Sequence, residues 1–359
     1  MSRGGDLQEI KALLQGMIEP LCRDLVPKGK RSGAYWMACN PTRDDTRPSF
    51  WIKIHGAPGA WRDEATEDKG DVLQLIAYIH GWDRKDYRQT LAWARNWLGI
   101  ENMPAGQRAE RIAQAKKASE EETQRAARRL LDDRRRAKGT WLHCQKTLIG
   151  TVAETYLAGR GIRIADLERQ PGALRFSPNQ KHGESGESWP AIVTAMVGSD
   201  NSIVAIHRTF LAPDGSGKAP VEPQRKIWPR YKDTGACIHL WRGETGLSHV
   251  DAAKQGLWDT LVITEGIEDG LAIAQACPEH RVWVAGTLGN IAGIRLPECC
   301  GEVIVCADND WGRPEAQRAL EQGLTALTRQ GRRTVKVAHS PLGKDVNDGL
   351  KAEQAWVES

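Results

Sequence analysis

Apolar positions recur along this chain with two periods, and the switches between them mark out its elements. From residue 7 to 25, Leu7, Ile10, Leu13, Leu14, Met17, Ile18, Leu21 and Leu25 follow one face of a helix. The period then shortens: 35–39 and 49–54 read as strands, with a turn at Pro58-Gly59 and Trp61 beyond it. Helical spacing returns at 71–79 and 87–98. Residues 107–138 are rich in Ala, Glu, Gln, Arg and Lys, which predicts a long exposed helix. A helix at 151–160 comes next, then strands at 189–197 and 202–211 joined by a turn at Asn201, a basic segment at 224–230 and a short strand at 236–241. The last third differs. Val262-Ile263 ends at Glu265, Val303-Ile304-Val305 ends at Asp308 and Asp310, and a helical pattern follows each run. Short apolar runs alternating with helices predict buried parallel strands in βαβ units.

In such sheets ligands gather at the carboxyl ends of the strands. Glu265, Asp308 and Asp310 are therefore expected at one edge, with Asp345 and Asp348 on a later loop able to join them. Converging carboxylates repel one another, and a divalent cation relieves the repulsion. Oxygen-only ligands favour Mg²⁺ or Mn²⁺ over zinc.

Composition narrows the picture. The net charge is only +4, so total charge does not announce a nucleic-acid partner. Residues 105–138 do carry 11 basic against 6 acidic side chains, which fits a solvated linker helix laced with i,i+4 pairs or an arm along a phosphate backbone. No run approaches a membrane span and the first residues lack a signal-peptide core, so the expectation is a cytoplasmic protein without a membrane partner. The 8 cysteines form no C-x-x-C pair and read as reduced and structural. Tryptophan outnumbers phenylalanine 14 to 3, and Trp36, Trp51 and Trp61 are close enough in sequence to predict one aromatic surface. GSGK at 215–218 lacks the first glycine and the Ser/Thr of a P-loop, and is expected to be a hairpin turn.

The ordered series Glu265-Gly-x-x-Asp269, Asp308-x-Asp310 and Lys344-Asp345-x-x-Asp348 resembles the Toprim domain of DnaG-type primases, topoisomerases and some nucleases. The resemblance implies catalytic roles for Glu265, Asp269, Asp308, Asp310, Lys344 and Asp345, and a two-metal Mg²⁺ or Mn²⁺ site on Glu265, Asp308, Asp310, Asp345 and Asp348. Primases usually continue the last motif as Asp-x-Asp; here Asn347 fills the second place. Upstream, Cys39, Pro48-Ser49-Phe50 and Lys69-Gly70-Asp71-Val72 resemble the zinc-binding module at the front of these primases. The metal ligands are missing: Thr42 stands where a histidine would be, and Trp61-Arg62-Asp63-Glu64 where the cysteine pair would be. One cysteine does not hold tetrahedral zinc, so no zinc is expected. The module's family role, single-stranded template recognition, points to Arg43, Arg47, Lys53 and Arg62 as phosphate contacts. Between the two lies a segment similar to the basic subdomain of primases, which implies template or nucleotide binding by Arg208 and Lys226, with His207, Arg225 and Arg230 beside them.

The expected fold class is multidomain, α+β and α/β. A small β-rich N-terminal module (1–102) leads to a basic linker helix (103–139). A mixed α+β basic subdomain (140–250) and an α/β Toprim domain with a Rossmann-like parallel sheet (251–359) complete it. The function implied is a DNA-directed RNA polymerase, a primase making short primers on single-stranded DNA from nucleoside triphosphates. With no Walker motif in the chain, a replicative helicase or polymerase would act in trans, an architecture suited to a phage or mobile element. Two alternatives stand beside it: a metal-dependent nuclease on the same carboxylates, and a non-catalytic protein binding single-stranded DNA or a replication complex.

Overall fold

The computed structural model describes residues 3–46, 48–101, 103–309, 313–331, 333–340, 343 and 345–350. The chain divides into two compact units, Met1–Arg129 and Leu130–Ser359.

The first unit opens with α1 (Arg3–Gly16) and α2 (Ile18–Leu25) rather than one helix. The reason is Pro20: its ring collides with the carbonyl four residues earlier, at Gly16, but is tolerated in the first turn of a new helix. An antiparallel sheet follows, β1 (Lys30–Ser32), β2 (Tyr35–Ala38), β3 (Phe50–Lys53), β4 (Trp61–Asp63) and β5 (Lys69–Gly70), in sequential order. Asp71 then caps α3 (Val72–His80) in a reciprocal capping box with Gln74. Helix α4 (Tyr87–Leu98) completes the cover, and α5 (Ala105–His143) begins. Trp36 pairs with Ile52, and Ile52 with Trp61, so these three share the buried face of the sheet. Trp51 lies on the opposite face, edge-on to Tyr35 at 5.3 Å. The single aromatic surface expected from Trp36, Trp51 and Trp61 therefore does not form; the two-residue repeat of a strand separates them.

In the second unit, α5 continues four residues past its expected end, and buried Ala137, with Trp141, packs against a four-stranded antiparallel sheet. That sheet is β6 (Leu174–Lys181), β7 (Ser188–Val197), β8 (Ile203–Phe210) and β9 (Arg225–Trp228), preceded by α6 (Val152–Ala158). Asn201 makes the β7–β8 turn with a φ of 61°, a conformation asparagine tolerates better than most residues.

The remaining elements are β10 (Ile238–Arg242), α7 (His249–Lys254), β11 (Asp259–Thr264), α8 (Ile267–Ala276), β12 (Arg281–Val284), β13 (Cys300–Ala307), α9 (Pro314–Thr328), β14 (Thr334–His339) and a short helix at 346–350. Their sheet runs β10-β12-β11-β13-β14, parallel except for the antiparallel edge strand β10. The fold class is thus α+β with a parallel α/β sheet. One hydrophobic core joins the two sheets through Phe176, Ile192 and Met196 on one side and Val262, Leu271 and Val284 on the other. A second core lies on the far face of the parallel sheet, under α7 and α9. Among the described residues, no helix is long and apolar enough to cross a membrane.

Candidate active site

Strands β11 and β13 are parallel neighbours, with Ile263 opposite Val305, so the residues just beyond their carboxyl ends leave the sheet side by side. These are Glu265 and Asp308, both half-buried, and both line a cleft of about 370 Å³ with Leu288, Gln317 and His339. Asp269 sits in the first turn of α8, nearly buried. Asp345 opens the 346–350 helix, its carboxylate accepting from the Asp348 amide at 2.9 Å. Asp310 and Lys344, like Arg47, lie outside the described residues.

Asp269 reports how closely the acids converge. Burial, aided by the charges of Asp345, Asp308 and Glu268, pushes its carboxyl up to about 7, against a hydrogen bond from the Asn347 amide. Burial is the larger cause, and the charges of the three neighbouring carboxylates act in the same direction. A donor set of oxygens under this repulsion fits a hard divalent cation. Among the described residues, no three His, Cys, Asp or Glu side chains close on an ion by themselves.

Asn347 has a definite place. It is fully buried, accepts from Arg160 Nη1 at 2.9 Å and donates to the Arg160 carbonyl at 2.8 Å. Its backbone amide donates to Asp269 at 3.1 Å. The amide side chain thus ties the segment after α6 to the 346–350 helix, a bonding pattern in which an aspartate could not supply the donated hydrogen.

Two further residues escaped the sequence reading. Glu268, beside Asp269, is buried, accepts from the Tyr156 hydroxyl at 2.7 Å and meets Lys218 Nζ at 3.3 Å. Burial works to raise its carboxyl, but Lys218, the Tyr156 hydrogen bond and Arg225 outweigh it and hold Glu268 down at about 2. Lys218 is the lysine of GSGK: the segment is a hairpin turn as expected, yet its last side chain is spent on the first turn of α8. The signal available was an acid inside Glu-Gly-x-Glu-Asp at a position with no ligand role. Lys218→Met should cost about 3–5 kcal/mol, because it strands a buried carboxylate. Lys218→Met combined with Glu268→Gln should recover most of that loss in chemical denaturation.

The cations expected in the basic subdomain lie on β8 and β9. Arg208 pairs across the strands with Lys226, and His207 with Ile227. Lys226 forms an ion pair with Glu184. Arg208 is half-buried over the Phe210 ring at 5.8 Å, and burial lowers its affinity for the proton. His207 is buried beside Gly286, the residue whose amide donates to the Glu265 carbonyl at 3.0 Å, and burial pushes its imidazole down to about 4. Arg225 and Arg230 are exposed.

In the first unit, Asp63 ends β4, inside the 61–64 segment that stands where the resemblance would put a cysteine pair. Its fully buried carboxylate accepts from Asn40 at 2.7 Å, Ser49 at 2.7 Å and the Ala65 amide at 3.0 Å, and pairs with Arg43 at 3.1 Å. Asn40 also donates to the Tyr78 hydroxyl. Arg43 is bound to Asp45 and Asp63, and the residue stays exposed at the surface. Lys53 and Arg62 lie on the strands, Arg62 beside Glu64 at 3.2 Å. The strand register puts both on the exposed face with Tyr35 and Trp51, and Lys69 lies opposite Arg62. Cys39 is free and half-buried.

Residues 260–355 match the family model of the Toprim domain, and residues 131–238 match a domain of unknown function (DUF7146). Among solved structures, the zinc-binding and RNA polymerase domains of the Aquifex aeolicus primase align over 98% of this chain and 85% of that one, at 13% identity and a TM-score of 0.37. A DnaG primase catalytic domain bound to ssDNA aligns over 64% of this chain and 78% of that one, at 19% identity and a TM-score of 0.39. No curated protein matches the sequence.

Proposed function

We propose that this chain, whose residues 260–355 are a Toprim domain, is a primase-type nucleotidyltransferase that makes short primers on single-stranded DNA. The observation that carries the reading is the convergence of acids at the carboxyl edge of the parallel sheet, where Asp345, Asp308 and Glu268 add their charges to the burial that raises the Asp269 carboxyl. Glu265, Asp308, Asp310 and Asp345, with Asp348, would hold Mg²⁺ or Mn²⁺. When bound, such ions supply charge neutralisation at phosphate and a more acidic 3′-hydroxyl.

The protein's own residues divide the remaining work. Asn347 orients Asp269 through its backbone amide and fixes Arg160 behind it. Arg208 and Lys226, with Arg225 and Arg230 beside them, offer cations to the triphosphate or template that the acids would otherwise repel. Lys344 would steady a phosphate. In the first unit, Tyr35 and Trp51 with Lys53, Arg62 and Lys69 combine rings for base stacking with charges for the backbone, as single-strand binding requires. A helicase or polymerase would act in trans.

The test is to incubate the chain with mixed-sequence single-stranded DNA, labelled nucleoside triphosphates and Mg²⁺ or Mn²⁺. Short labelled products support the reading. Metal-dependent shortening of the template without products would replace it with a nuclease on the same carboxylates. Template binding with neither outcome would leave a binding protein.

A further inference from the structure

Two adjoining chambers lie beside α7, apart from the carboxylate cluster. The first, about 450 Å³, is lined by Asn201, His239, His249, Trp283, Lys254 and Arg295 among others. The second, about 500 Å³, shares Asn201, His239 and His249 and extends past Trp241 to Arg242. Each is the size of a small-ligand site. Neither Glu265 nor Asp269, Asp308 or Asp345 lines them.

The chemistry of the shared wall is specific. His239 stacks on Trp283 across β10 and β12, with ring centroids 4.1 Å apart and planes 13° apart. His249, opening α7, stands edge-on to both, at 4.9 and 5.4 Å. Burial, with His249 and Arg281 nearby, pushes His239 down to about 3. Burial lowers His249 as well, so both rings are neutral near pH 7. Trp283 is 2% exposed, and its indole N–H has no acceptor among the described residues. A buried donor left without an acceptor costs free energy that a ligand's oxygen or ring nitrogen would restore. Lys254 and Arg295 are exposed at the lining of the first chamber, opposed there by Glu298.

A planar aromatic wall, a waiting donor and two lysine or arginine charges together select a heteroaromatic ring that carries an anion. We infer that these chambers form a second nucleotide site. The base packs in the His239–His249–Trp283 cluster and accepts from Trp283 Nε1, and the phosphate meets Lys254 and Arg295. The site is independent of the polymerase reading, because it shares no residue with the carboxylate cluster.

AMP titrated calorimetrically into the full chain in EDTA tests the assignment. Saturable binding is expected, tighter than that of adenosine or inorganic phosphate alone. Lys254→Glu, a surface change, should weaken it about tenfold, and Ala253→Trp, which fills the first chamber, should abolish it. Asp308→Asn should leave it unchanged, which separates this site from the carboxylates. Absence of binding at about 1 mM AMP, equal affinity for phosphate alone, indifference to both Lys254→Glu and Ala253→Trp, or loss on Asp308→Asn would each overturn the assignment.

Discussion

Asp308→Asn is expected to abolish primer synthesis, by at least about a thousandfold, and at the same time to make the metal-free protein harder to unfold. The two effects have one cause. Asp308 adds its charge to those of Asp345 and Glu268 around a buried Asp269, and that repulsion is relieved in the unfolded chain. Removing one charge should stabilise the protein in EDTA by on the order of 1 kcal/mol. Metal should raise the melting temperature of the wild type, since it binds only the folded cluster, and should do so much less for the variant. A melt of both proteins with EDTA, Mg²⁺ and Mn²⁺ measures this. If Asp308→Asn lowers stability in EDTA and still responds to metal like the wild type, the carboxylates are not held together against their own charge.

The second large effect is expected in the other unit. Asp63→Ala should cost the first unit about 3–5 kcal/mol, since it leaves Arg43, Asn40 and Ser49 around an empty buried position. EDTA should cost it nothing if hydrogen bonds rather than zinc hold this segment. The pH dependence has a definite sign. Burial works to raise the Asp63 carboxyl, but hydrogen bonds from Asn40, Ala65 and Ser49 and the Arg43 charge hold it below the usual carboxylate range. Its stabilisation is therefore complete above about pH 4, the unfolded value, and disappears as the pH falls through the lower folded value. Near-ultraviolet circular dichroism of the Trp61–Phe50–Tyr78 ring cluster reads the loss. A chelator-induced loss of that signal in the wild type would show that metal, not Asp63, organises the segment.

Much of this arrangement was legible because periodicity and motif agreed. The β11 and β13 runs are apolar on both faces and stop at acids, so they identify both their parallel neighbourhood and the edge they serve. The helix beginning near residue 71 and the turn at Asn201 were equally readable. Strand β12 was not. It opens on Arg281, which reads as a surface residue until its guanidinium is seen buried against Asp259 at 2.5 Å. The tryptophans misled for a related reason: nearness in sequence says nothing about face, and only the register assigns Trp61 to the core and Trp51 to the surface. Lys218 and Glu268 were illegible because they are 50 residues apart in different elements. Neither breaks a local pattern.

The continuous core between the two sheets has a consequence for how this protein can be inherited. Phe176, Ile192 and Met196 bury against Val262, Leu271 and Val284, and the Lys218–Glu268 and Arg160–Asn347 contacts stitch the same seam. Two family models meet along it, and parting the segments would expose these apolar residues on both sides, whatever each keeps in its own smaller core. Recombination that exchanged one half for a distant counterpart would have to rebuild a shared interior as well as a catalytic edge. The halves should therefore travel through evolution as a pair, and a cut between them should yield two aggregating fragments rather than two domains.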